Sequence, residues 1–139
     1  MSRETDGARR AARYADGLYP MFLDTNGDPG RYDALREVVL REGERVGRDL
    51  TGFRLYAFAS GRIVDSSDEL ARRERRPTLT GTAGQVIEDL EGFAAHGYHH
   101  ITMHFDVRSG TIAELFEQVE RFAEEVRAAA SELEAMPLL

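Results

Sequence analysis

The sequence predicts an α/β segment of about three strand-helix units with parallel strands. Three observations carry this. Four tracts place apolar residues at helical spacing, three short tracts alternate or run apolar between turn residues, and helices separate one strand from the next. A helix between consecutive strands makes the crossover that parallel pairing needs, and such crossovers are right-handed. At 139 residues the chain is long enough for a single domain with its own core. It is shorter than the roughly 250 residues of a closed (β/α)8 barrel, which is the architecture the alternation asks for.

The first element is a helix over Gly7 to Ala15, with Ala8, Ala11, Ala12 and Ala15 on one side and Arg9, Arg10 and Arg13 on the other. Residues 1–6 form a polar leader expected to be flexible. Leu18 to Leu23 is a short apolar run that reads as a strand, with Pro20 placed near its exit because proline donates no ladder hydrogen bond. Asp24 to Gly30 is turn-rich and lacks the calcium-loop spacing with its terminal glutamate. Arg31 to Val46 shows Tyr32, Leu35, Val38, Val39 and Val46 on one stripe, and Gly47 stands where a helix C-cap is expected.

Phe53 to Ser60 alternates Phe53, Leu55, Ala57 and Ala59 against Arg54, Tyr56 and Phe58, which is the second strand. Ser66 to Arg76 reads as a short charged helix stopped by Pro77, its Arg72 to Arg76 end solvated and matched to the helix dipole. Thr82 and Gln85 form a capping-box pair ahead of Val86, Ile87, Leu90, Phe93 and Ala94, and Gly97 closes that helix. Tyr98 to Val107 is the third strand. Thr111 to Ala130 is the most regular helix, with Ile112, Leu115, Phe116, Val119, Phe122, Ala123 and Val126 expected on its inner face and Glu and Arg outside. Residues 131–139 are expected to be flexible.

Composition narrows the function. The net charge of -7 lies along the helices rather than in a tail, which favours solubility and disfavours nucleic acid. No run of roughly 18 apolar residues spans a membrane and no apolar leader is present, so the expected location is the cytoplasm. The chain has no cysteine, which excludes disulfides, thiolate catalysis and Cys-type zinc sites. His96, His99, His100 and His104 do not read as a metal site: His100 and His104 share a strand face but stand about 13 Å apart at ~3.3 Å per residue. No Walker or dinucleotide loop and no supported nucleophile triad occurs.

Ligands of parallel α/β folds bind beyond the carboxyl ends of the strands. That rule places Tyr19, Met21 and Phe22, then Ser60, Gly61 and Arg62, then His104, Asp106 and Arg108 on one rim. Aromatic rings there can stack on a flat ligand, and Arg62 or Arg108 can pair with phosphate or carboxylate. No residue stands out as a catalytic acid or base.

Arg9-Arg10-Ala11-Ala12-Arg13-Tyr14-Ala15-Asp16-Gly17, then Leu79-Thr80-Gly81-Thr82-Ala83-Gly84-Gln85-Val86, then Gly97-Tyr98-His99-His100-Ile101 follow one another in the chain. Together they resemble the luciferase-like monooxygenases, flavin- or deazaflavin-dependent oxidoreductases built on a TIM barrel. The resemblance implies a partial TIM (β/α)8 barrel comprising its last three strand-helix units. It implies FMN or coenzyme F-420 as cofactor, and hydride transfer between that cofactor and an organic substrate. Asp16 and Gly17 match the strand start beside the cofactor pocket, and Tyr19, Arg62 and Asp106 are the implied rim contacts. The sequence departs from the family at the Gly-Gly-x-Ser-like phosphate turn, where Met1 to Asp6 stand with Gly7, and at Leu18 and Gly84. An incomplete barrel is expected to leave a surface of Leu, Phe and Met bare and its strand edges open. Self-association, or a chain supplying the missing strands, would cover them. The alternative function is therefore a non-catalytic assembly module.

Overall fold

The computed structural model describes residues 3–20, 30, 33–66 and 76–138. Helix α1 spans Arg3–Tyr14, strand β1 Gly17–Leu18, α2 Asp33–Val46, β2 Arg54–Ile63 and β3 Thr80–Gly81. Helix α3 spans Ala83–Ala95, β4 Tyr98–Phe105, α4 Ile112–Glu125 and α5 Arg127–Ala130. Among the described residues every strand pair is parallel, as expected from strands separated by crossovers.

Strand β2 is the centre of the sheet. Neighbouring residues of a strand aim their peptide groups at opposite edges. Arg54 N–H donates to Asp16 O, and Arg62 N–H donates to Leu79 O, so β1 and β3 lie along one edge of β2. Gly61 O accepts from Asp106 N–H, so β4 takes the other edge. The ladder skips from the pair Leu55 and Tyr98 to the pair Tyr56 and His100, which leaves His99 as a bulge in β4. Its Nδ1 accepts the Leu55 N–H at 3.3 Å, replacing the backbone acceptor that the bulge removes.

Alternation along β2 sorts its faces as the sequence implies. Leu55, Ala57, Ala59 and Ile63 are buried in one core with Ala8 and Ala12 of α1, Val39 of α2 and Phe93 of α3. The capping box is present, with Thr82 Oγ1 accepting from Gln85 N–H and Gln85 Oε1 from Thr82 N–H. Gly47 and Gly97 have φ of 66° and 85°, the left-handed region that a side chain resists. Leu79 also has a positive φ, 56°, yet its side chain is fully buried. Asp89 of α3 holds that turn: it accepts the Leu79 N–H at 2.7 Å and a bidentate pair of hydrogen bonds from Arg76.

Several expectations change. Strand β2 runs to Ile63 instead of ending at Ser60, because β3 pairs with Arg62 and Ile63. Helix α1 begins at Arg3, drawing part of the leader into helix with Glu4 and Asp6 in its first turn. The tail is tied down rather than loose: Arg36 Nη2 donates to Pro137 O and Leu138 O, Met136 N–H donates to Ala94 O, and Leu138 is buried. Strand β1 is assigned only at Gly17–Leu18; Met21 to Pro29, Arg31–Tyr32 and most of the predicted Ser66 to Arg76 helix lie outside the described residues.

The largest change concerns α4. Ile112, Leu115, Phe116 and Val119, expected inside, are exposed. The buried residue is Gln118, whose Oε1 accepts the Ile63 N–H at 2.8 Å and whose Nε2 donates to Ile63 O at 3.1 Å. Its amide thus continues the ladder on the β4 side of β2, where β4 has already ended. The contact satisfies two buried backbone groups, and an unpaired peptide group in the interior costs about 1–3 kcal/mol.

Candidate functional site

Among the described residues, the sheet has helices on one face and none on the other. Even-numbered residues of β2 and β4 project to the open side, and the register sets Tyr56 beside His100, Phe58 beside Thr102 and Ser60 beside His104. Tyr56 and His100 meet edge to face with ring centroids 6.0 Å apart; Phe58 stacks on His104 at 6.5 Å. Tyr19, just past β1, meets Tyr56 edge-on at 6.2 Å. On β2 and β4 this face is aromatic and polar rather than the Leu, Phe and Met expected: Leu55 and Met103 turn to the helical side, and Phe58 alone of that set stands on it, while Met21, Phe22 and Leu23 lie outside the described residues. Half-buried rings with polar edges make a platform for a flat ligand.

Beyond the carboxyl ends of β2 and β4 lies a charged clamp. Arg62 Nη1 donates to Asp106 O at 3.0 Å and pairs with Glu114 at the start of α4. Glu114 also accepts from Arg108 N–H at 3.0 Å, from Ser109 N–H at 2.6 Å and from the Ser109 hydroxyl. These donors, Ser109 first and Arg62 next, hold the Glu114 carboxyl down at about 2. The clamp orders the β4–α4 loop. It also uses up the Arg62 charge, leaving Nε as a buried donor without a partner among the described residues.

The five implied site residues do not form one cluster. Arg62 and Asp106 meet at the carboxyl ends, through the backbone of Asp106 and not its exposed carboxylate. Gly17 pairs with Arg54 at the opposite end of β2, roughly 26 Å away at ~3.3 Å per residue. Asp16 stands beside it, its carboxylate 3.5 Å from Arg48. Tyr19 joins the open face. Asp16 and Arg48 line a cavity of about 140 Å³, and Arg54, His99 and Leu138 line a neighbouring one of about 270 Å³. Both fall below the ~300 Å³ at which small-molecule sites begin. Gly17 is explained by space: a Cβ there would stand 2.5 Å from the Tyr56 ring.

The periodicity that identified the strands does not indicate which face stays open, so Tyr56, Phe58 and His100 were not among the implied site residues. The signal for Tyr56 and Phe58 was present in the alternation of β2. His99 is a bulge residue and not a ligand; its burial, with the nearby Arg54 charge, lowers its pKa and favours the neutral ring that accepts from Leu55.

A second acid-sensitive cluster joins α1 to α2. Glu42 is buried and accepts from Arg45 at 2.6 and 3.0 Å and from Arg13. The Arg45 hydrogen bonds lead, burial opposes, and Arg13 adds, bringing the carboxyl to about 2. Glu42 and Glu114 are both depressed in the fold, so they contribute stability above the ordinary value of 4.5 and lose it as pH falls toward about 2. The urea midpoint is expected to hold level from pH 7 to about 5 and then fall, and E42Q with E114Q is expected to flatten that fall. An unchanged acid limb in the double variant contradicts the assignment.

No known protein family and no curated protein matches the chain. Among the described residues, no helix is long and apolar enough to cross a membrane.

Proposed function

We propose that this chain is the carboxyl-terminal part of a luciferase-like, flavin- or coenzyme F-420-dependent oxidoreductase barrel, with its open sheet face as one wall of the cofactor pocket. One observation carries the reading: a parallel sheet roofed by helices on one side presents Tyr19, Tyr56, Phe58, His100 and His104 on the other. Parallel sheets are covered on both faces, and in a barrel the inner face meets opposing strands or a ligand. The edge-to-face rings fit a flat isoalloxazine or deazaflavin ring by stacking, and the imidazoles supply hydrogen-bonding edges. The phosphate of either cofactor is matched less well, since Arg62 is already neutralised by Glu114. This chain therefore contributes ring contacts, while complete cofactor binding draws on residues beyond those described. When bound, the cofactor supplies the hydride chemistry, and the protein orients it and excludes water.

Titration of the chain with FMN and with coenzyme F-420, followed by ligand fluorescence, tests this. Saturable quenching is expected, and it is expected to be lost in Y56A/F58A, whose side chains are not in the buried core. No change up to high micromolar protein would remove autonomous cofactor binding. The second reading, an assembly module without catalysis, is favoured by the exposed apolar stripe of α4.

A further inference from the structure

We infer that the exposed stripe of α4 is a docking surface for a second copy of this chain, whose α1 lies along it. Ile112, Phe116 and Val119 are 71%, 61% and 43% exposed and recur at helical spacing, so they form one continuous apolar ridge. Scattered apolar residues on a surface need no explanation, but a ridge of this kind marks an interaction site. Its outer flank is acidic: Glu117, Glu120 and Glu124 are all exposed beside it. The occupant must therefore offer an apolar or notched surface edged with positive charge.

Helix α1 presents such a surface. Its inner face is Ala8 and Ala12, fully buried against the core. Its outer face carries Arg3, Gly7, Arg10 and Tyr14 at helical spacing; Tyr14 is 80% exposed, and a Cβ added at Gly7 would meet nothing within 4 Å. Gly7 is thus a notch able to receive a Phe116 ring, and Arg3 and Arg10 flank it to meet the glutamates, with Asp6 bordering the same face. A second α4 would be the wrong occupant, since its glutamates would face their like.

Topology makes the contact workable. Helix α1 leads into β1 and α4 follows β4, and these strands take opposite edges of β2. One copy's α4 can therefore meet the next copy's α1 head to tail, a contact that makes a ring where the rotation between copies closes and a filament where it does not. Closure matters energetically: one helix pair buries less than the roughly 1,200–2,000 Å² of a stable interface, and a ring repeats the contact. The docking is independent of cofactor binding.

Light scattering coupled to size exclusion, on the full chain over a concentration series, reads the outcome. The expected mass is at least twice the 15.6 kDa of one chain. F116E is expected to give monomer, and R10E to raise the dissociation constant about 10-fold or more, each with unchanged circular dichroism because both side chains are exposed. Mixing R10E with E120R is expected to recover part of that loss. A wild-type monomer at hundreds of micromolar overturns the proposal, as does an oligomer that F116E leaves intact. An oligomer broken by F116E but indifferent to R10E overturns α1 as the occupant. FMN titration of F116E separates this outcome from the cofactor reading, because the open sheet face is untouched by that substitution.

Discussion

Replacing Gln118 by methionine is expected to destabilise the protein by roughly 3 kcal/mol, although the side chain is of similar length and more apolar. Gln118 is 1% exposed and its amide serves both the N–H and the C=O of Ile63 at 2.8 and 3.1 Å. Removing it strands two buried backbone groups, each worth about 1–3 kcal/mol when unsatisfied. Arg121 Nη1 lies 3.4 Å from Ile63 O and retains part of that acceptor's satisfaction, so the N–H carries most of the penalty. At this chain length the loss corresponds to a melting temperature about 10 °C lower. Urea denaturation checks it. A methionine variant within ~0.5 kcal/mol of the parent would show that the Gln118 amide is not what anchors α4 to β2.

The second large effect is expected at Gly61. A Cβ there would collide with Met103 Cε and Leu79 O, and would stand 2.9 Å from Leu79 Cβ. The methionine end can swing aside. Leu79 cannot, because its N–H is held by Asp89, its carbonyl accepts from Arg62 N–H, and its side chain is fully buried. The backbone of β3 must therefore move away from β2, and G61A is expected to cost about 3 kcal/mol, at the upper end of overpacking effects. Hydrogen exchange at Arg62 and Val64, which donate to Leu79 O and Gly81 O, is expected to accelerate while the β2–β4 ladder is kept. Gly84 supplies the control: it sits inside α3 with open space at its Cβ, so G84A is expected to stabilise by about 0.5–1 kcal/mol. If G61A and G84A behave alike, crowding at Gly61 is not the reason for the glycine.

The candidate site was legible in part. The meeting of Arg62 and Asp106 follows from the rule that ligands gather where parallel strands end, whereas Tyr19, expected on the same rim, stands beside Tyr56, six residues before Arg62 along β2. What that rule does not contain is the partner of each charge. Arg62 reads as a free cation in the sequence, whereas Glu114, 52 residues later, neutralises it. Asp16, Gly17 and Tyr19 are near neighbours in the chain and stand together toward the Arg54 end of β2, far from the clamp, because a strand carries its two ends apart by its own length.

The fold divides along the same line. Local signals alone determined the described helices, the Thr82 capping box, the turns at Gly47 and Gly97 and the alternation of β2. Each depends on residues within a turn or two of one another, where period, capping and φ preference act. Tertiary structure alone decided which stripe of α4 is buried, where the tail docks, and that Tyr56, Phe58, His100 and His104 line the sheet face opposite the described helices. Periodicity shows that an element has two faces. Which face is buried depends on the neighbour it meets, and for α4 that neighbour is the N–H and C=O of Ile63, which the Gln118 amide satisfies together and the apolar stripe could not.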